Sequence, residues 1–170
     1  MKKLLFFALL LATGALLLLP SCGGGGNQQQ QWADTTQKKD TAVNQYAGLP
    51  ADIQAMMPRG QEIYNTKCVA CHQKDGKGLA NTFPPLANSD YLLGDKVRAV
   101  AQTLNGSHKE IVVNGQKYNQ LMPQQVDTKE DAVAVINYVL NNFGNQGGVV
   151  TLDDVKDVKI DPRKKPDEQK

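Results

Sequence analysis

Cysteine, histidine and tryptophan are scarce in this chain, which carries three, two and one of them among 170 residues. The single tryptophan, Trp32, lies in a polar stretch ahead of any core-forming sequence, so the core is built without an indole. Two histidines and no second Cys-x-x-Cys leave a structural zinc site without the other half of its ligands. Cys68 and Cys71 are too close in sequence to staple a long loop as a disulfide. Charge of one sign is also missing: 19 basic side chains stand against 17 acidic ones, and setting aside Lys2 and Lys3 makes the balance even. That excludes a basic field for nucleic acid and a basic block for an anionic membrane surface. There are no internal repeats. The longest apolar run, Leu4 to Leu19, falls short of the ~20 residues that a spanning helix needs.

What is present begins with that run. Basic Lys2 and Lys3, the apolar stretch and then "LPSC" have the layout of an export signal, and "LPSC" resembles the lipobox of bacterial lipoproteins, in which the cysteine is acylated. On this reading residues 1–21 are a lipoprotein signal peptide and Cys22 is the lipidation site. An ordinary signal peptide and an uncleaved anchor are the alternatives, and all three place the remainder outside the cytoplasm. Residues 22–48, with a glycine run, a glutamine run and mixed polar residues, read as a flexible tether spanning about 30 Å. The expected domain covers residues 49–143, and residues 144–170 form a C-terminal extension. In that extension Val149, Leu152 and Val155 can dock as a short turn, with a disordered charged end from Asp161.

Within the domain, a first helix is expected to begin near Met57 or Pro58 and run into Cys68, with Gly60, Tyr64 and Cys68 on one face. "GDKVRAVAQTL" reads as a second helix stopped by Asn105-Gly106. "EIVVNGQKY" carries the Asn-Gly turn of a β-hairpin. A third helix is capped by Thr128 and bears an apolar stripe of Ala132, Val135, Ile136, Val139 and Phe143 before Gly144.

The chemistry concentrates in "NTKCVACHQKDGKG". A dithiol oxidoreductase would need a βαβ setting that the helical pattern does not offer. Two thiols one helical turn apart can instead add to the two vinyl groups of one porphyrin, with the adjacent His72 placed beneath the iron. Here the chain resembles the class I c-type cytochromes, small bacterial monohaem members above all, over about residues 57–143. Gly60 and Tyr64, eight and four residues before Cys68, resemble the family's first-helix contacts, and "VINYV" its last-helix partner with Val135 and Tyr138 facing the crossing. "KDGKG" resembles the family's tight turn after the histidine, and "FPPLANSDYL" its haem-packing loop.

The resemblance implies a mainly α fold with three main helices around one covalently bound haem c and a short β-hairpin before the methionine loop. It implies thioethers at Cys68 and Cys71, His72 as an iron ligand, and a proline carbonyl, from Pro84 or Pro85, accepting from the second ring nitrogen. "YNQLMPQQ" resembles the family's methionine loop, which makes Met122 the expected second ligand; His108 is the rival, giving a bis-histidine haem. With no core tryptophan, the haem propionate falls to Tyr118, Tyr91 or Asn119. The implied function is one-electron transfer between membrane-bound respiratory partners by a lipid-anchored protein on the periplasmic or other extracytoplasmic side. No catalytic residue, small-molecule substrate or nucleic acid is expected. A redox subunit of a larger oxidase or reductase and a haem enzyme with an open sixth position are the alternatives.

Overall fold

Helix α1 spans Ala51–Ile63 and so begins ahead of the Met57–Pro58 start that the proline suggests. The structure, a computed structural model, describes residues 45–162. The expected signal peptide and tether up to residue 44, with Cys22 and Trp32, and residues 163–170 lie outside the described residues. Pro50 supplies the extended residue before α1, and Asp52 places a negative charge in its first turn, where the helix dipole favours it. Ile53, Met57 and Gly60 form the buried face, while Pro58 sits inside the helix on its exposed side. There its missing N–H costs one bond to Gln54 but exposes no buried group.

The chain continues without a break through a π-helical segment, Tyr64–Cys68, into α2, Val69–His72. The wider turn rotates Cys68 off the line of Gly60 and Tyr64. Gly60 and Tyr64 are buried, whereas Cys68 is only half-buried. A short helix that the sequence pattern did not announce, α3 (Asp90–Gly94), is capped by Ser89, whose hydroxyl accepts from the Leu92 amide at 3.2 Å. Helix α4, Lys96–Asn105, starts at an Asp95 cap and ends where Gly106 turns left-handed at φ 79°.

Strands β1 (Ile111–Val113) and β2 (Gln116–Tyr118) pair antiparallel, with Ile111 opposite Tyr118. Their turn has both central residues at positive φ, Asn114 at 50° and Gly115 at 79°, the geometry that Asn-Gly favours. Asp90 and Asn114 exchange side-chain to backbone bonds of 3.0 and 2.7 Å, which ties the hairpin tip to α3.

Helix α5, Lys129–Leu140, begins at Thr128, whose hydroxyl accepts from the Asp131 amide at 3.2 Å. The sequence suggested one apolar stripe, yet every residue from Ala132 to Leu140 is buried. The reason is the extension, which covers the face that would otherwise meet water. Val150 and Val155 join the core, and the fully buried Asn137 side chain accepts from the Val150 amide at 3.0 Å and donates to its carbonyl at 2.7 Å. Val149 packs against this core, whereas Leu152, expected to dock, is exposed. At the other end Tyr46 is buried, and its hydroxyl accepts from Asn142 at 2.8 Å. The packed unit therefore reaches beyond 49–143 on both sides.

Helices α1 and α4 both pack on α5. The α1 crossing is tight: a Cβ on Gly60 would lie 2.2 Å from the Ala134 carbonyl oxygen and 2.8 Å from the Tyr138 Cβ. Ala134 and Tyr138 thus form the crossing, and Val135, expected beside Tyr138, lines a cavity instead. Among the described residues no helix is long and apolar enough to cross a membrane.

Candidate functional site

The helix that starts at Ala51 delivers Cys68, Cys71 and His72 to one wall of a cavity of about 240 Å³. Val135, Ile136 and Val139 of α5 make an apolar wall, and the loop after the hairpin contributes Met122. Both cysteines are free thiols. Burial, reinforced by the neighbouring Cys71, pushes the Cys68 thiol up to about 12, the opposite of the lowered value that a redox dithiol needs. Among the described residues no group of three or more His, Cys, Asp or Glu side chains is placed to hold a metal, so the pair gains no zinc partners.

His72 is buried, and its Nδ1 lies 3.0 Å from the Pro84 carbonyl oxygen. A carbonyl only accepts, so Nδ1 carries the proton and Nε2 keeps its lone pair in the neutral ring. Burial holds the imidazole below its usual pKa, opposed by the Pro84 bond, and the neutral ligand form prevails at neutral pH. The structure thereby selects Pro84 over Pro85 as the partner of His72.

The tight turn builds the seat of that carbonyl. Gly78, at φ 66°, donates its N–H to the His72 carbonyl at 3.0 Å, and a Cβ there would meet the Pro84 oxygen at 2.6 Å. The amides of Leu86 and Ala87 both donate to the Gly76 carbonyl, at 2.7 and 2.9 Å. The Tyr64 hydroxyl donates to the Gln73 carbonyl at 2.6 Å, closing the end of α2 from the core side. Burial raises the Tyr64 pKa well above the usual phenol value, so the hydroxyl stays a donor.

Met122 is fixed through its backbone. It exchanges two main-chain bonds with Ser107, of 2.8 and 3.0 Å, and its carbonyl oxygen lies where a Cβ on Gly106 would come within 2.6 Å. His108 follows Ser107 but is exposed and does not line the cavity, although Ser107 and Lys109 on either side of it do. Tyr118 is buried and lines the cavity, as does Tyr91; Asn119 is exposed and does not.

Two residues that sequence reasoning passed over belong to the same wall. The Gln102 amide donates to both the Tyr91 hydroxyl at 3.1 Å and the Ser107 hydroxyl at 3.2 Å. Each hydroxyl then keeps its own proton for another acceptor. The sequence signal was available in the helical spacing of Ala99, Gln102 and Thr103, which puts a polar amide on the cavity face of α4.

These parts fit a covalently held porphyrin: two free thiols a helical turn apart, a neutral imidazole with one nitrogen committed and one available, a thioether, and apolar walls between them. Comparison with known proteins agrees. The family model described as Cytochrome c matches residues 57–143. A cytochrome c-552 of Thermus thermophilus is 33% identical over 91 residues, which cover 51% of this chain and 69% of that protein. The cytochrome subunit of a fructose dehydrogenase from Gluconobacter japonicus is 29% identical over 116 residues, 63% of this chain but 23% of that subunit. The cytochrome c subunit of a quinone-dependent alcohol dehydrogenase from Gluconobacter oxydans is 27% identical over 107 residues, 57% of this chain and 21% of the subunit.

Proposed function

The chain belongs to the cytochrome c family, with the class I fold and one covalently bound haem c, and from that premise we propose that it is a lipid-anchored one-electron carrier whose iron is held by His72 and Met122. When bound, the haem supplies an Fe(III)/Fe(II) couple. Cys68 and Cys71 would hold it through thioethers. Pro84 keeps the His72 ring in one tautomer and orientation, which makes Nε2 a better donor. Val135, Ile136 and Val139 would exclude water from the bound haem, and the Tyr91 and Ser107 hydroxyls, with Tyr118, would be available as donors to its carboxylates. The observation that carries the reading is the meeting of His72 and Met122 in one cavity from segments far apart in sequence. A site with two protein ligands stores an electron, whereas a site with one invites substrates. Rapid carbon monoxide binding to the reduced protein at neutral pH would favour a haem enzyme and count against the carrier reading.

A second reading, a redox subunit of a larger complex, is favoured by the likeness to cytochrome subunits of dehydrogenases, of which this chain spans only about a fifth. Slow exchange with soluble redox mediators would support it over a free carrier.

The anchor rests on "LPSC" at the end of the apolar run. Cys22→Ser should release a soluble, haem-loaded protein, because attachment of the haem needs only Cys68 and Cys71. Retention of this variant in the membrane fraction would refute lipidation at Cys22. A tether of the expected reach would raise the effective concentration of the domain near a membrane-bound partner without raising its affinity.

From Asp52 to Asp131 the domain carries nine basic and nine acidic side chains. Reduction by the natural donor should therefore depend weakly on ionic strength, with a second-order rate constant changing less than about threefold between low and physiological salt. A steep fall across that range would point to a charged docking patch.

A further inference from the structure

We propose that Asn145, just past the last helix, is a positioning residue for His72: its side-chain amide fixes the loop that carries the Pro84 carbonyl and so sets how firmly that carbonyl holds the ring N–H. The inference rests on His72 being the iron ligand and extends that reading to a residue outside the matched span 57–143.

Asn145 is 7% exposed and uses its whole amide. Its Nδ2 donates to the carbonyls of Leu86, at 3.0 Å, and Val139, at 2.8 Å, while its Oδ1 accepts from the Asn88 amide at 2.7 Å. One side chain therefore joins the final turn of α5 to the segment that follows Pro84. That segment has few other holds. Pro84 and Pro85 have no N–H, and the amides of Leu86 and Ala87 both go to Gly76. The loop is thus held before Pro84 by the two main-chain bonds between Leu79 and Phe83, and after it by the Gly76 carbonyl on one side and Asn145 on the other.

The backbone is bent to bring Asn145 there. Phe143 and Gly144 are both left-handed, at φ 58° and 82°, which is costly for an aromatic residue. Phe143 is kept in that state by its ring contacts, 4.9 Å to Tyr64 and 5.9 Å to Tyr138 between centroids. Its ring also lies where a Cβ on Gly76 would approach within 2.7 Å. The same turn that aims Asn145 at the loop thus presses on the glycine that holds the loop's other side.

The test uses the full-length, haem-loaded protein. Asn145→Ala should make the His72 ring N–H exchange with solvent about tenfold faster, the loss expected for one hydrogen-bonded tie. It should also raise the reduction potential, because a less firmly bonded imidazole donates less to Fe(III). The control is Asn141→Ala. Asn141 ties the Asn137 carbonyl of α5 to the Gly148 carbonyl of the extension, both at 2.9 Å, and has no bond to the proline loop. It should lower stability and leave the ring N–H and the potential as in the parent. Equal effects of the two variants, or a parent-like Asn145→Ala, would overturn the assignment. If Asn145→Ala does not load haem, exchange in the parent decides: the Asn88 amide and the His72 ring N–H should open together, and an Asn88 amide that exchanges freely while the ring stays protected overturns the proposal. A parent spectrum without an imidazole ligand would instead sink the reading of His72 itself.

Discussion

Gly60→Ala should nearly abolish the yield of haem-loaded protein. The added Cβ would lie 2.2 Å from the Ala134 carbonyl oxygen, and 2.8 Å from both the Ala134 carbonyl carbon and the Tyr138 Cβ. None of these atoms can rotate away, since two belong to the backbone of α5 and the third is fixed to it. Relief requires the helices to separate, and α1 runs directly into the turn that carries Cys68, Cys71 and His72. Overpacking costs about 1–3 kcal/mol and occasionally more, and contact with backbone atoms puts this site at the upper end, a large share of the stability of a domain held by as little as ~5 kcal/mol. Gly94→Ala is the control, because nothing lies within 4 Å of a Cβ there. Yield of covalent haem and the denaturant midpoint should collapse for Gly60→Ala and change little for Gly94→Ala. A Gly60→Ala protein with a parental midpoint would mean that the helices do not cross at this glycine.

Features set by neighbours in sequence were legible before the structure. Thr128 caps α5, Asn114-Gly115 turns the hairpin, and Gly106 stops α4, each through backbone geometry that one or two residue types favour. The pair Cys68 and Cys71 with His72 could be read for the same reason, since one helical turn sets their spacing. Features set by distant segments were not legible. Pro58 suggested a helix start because a proline's cost depends on whether its missing N–H faces water, which a local pattern does not reveal. The all-round burial of α5 depends on Val150, which no local pattern singles out, together with Val155, which the sequence expected to dock. The choice between Pro84 and Pro85 depends on how Gly78 and Gly76 seat the loop. Gln102 was missed because an amide on an apolar face gains meaning only from the hydroxyls opposite it.

Met122→Ala should keep its haem but open the sixth position to water or carbon monoxide. The variant is informative because the bonds that hold this residue, to Ser107 at 2.8 and 3.0 Å, are main-chain bonds that the substitution leaves in place. The loop therefore stays where it is, and the loss is confined to the side chain of a residue that lines the cavity. A thioether is a soft, neutral ligand that favours Fe(II). Met122→His should accordingly retain a six-coordinate haem at a lower potential, by a sizeable part of the roughly 0.8 V that axial ligands span across haem proteins. His108→Ala should change neither spectrum nor potential, since His108 is exposed and does not line the cavity while its neighbours do. Oxidised-state spectra of the parent and the three variants, watching the sulfur-to-iron charge-transfer band, separate these outcomes. The band should be present in the parent and in His108→Ala, and lost in Met122→Ala and Met122→His. Its absence from the parent, or its survival in Met122→Ala, would remove Met122 from the iron; opening of the sixth site in His108→Ala would put His108 in its place.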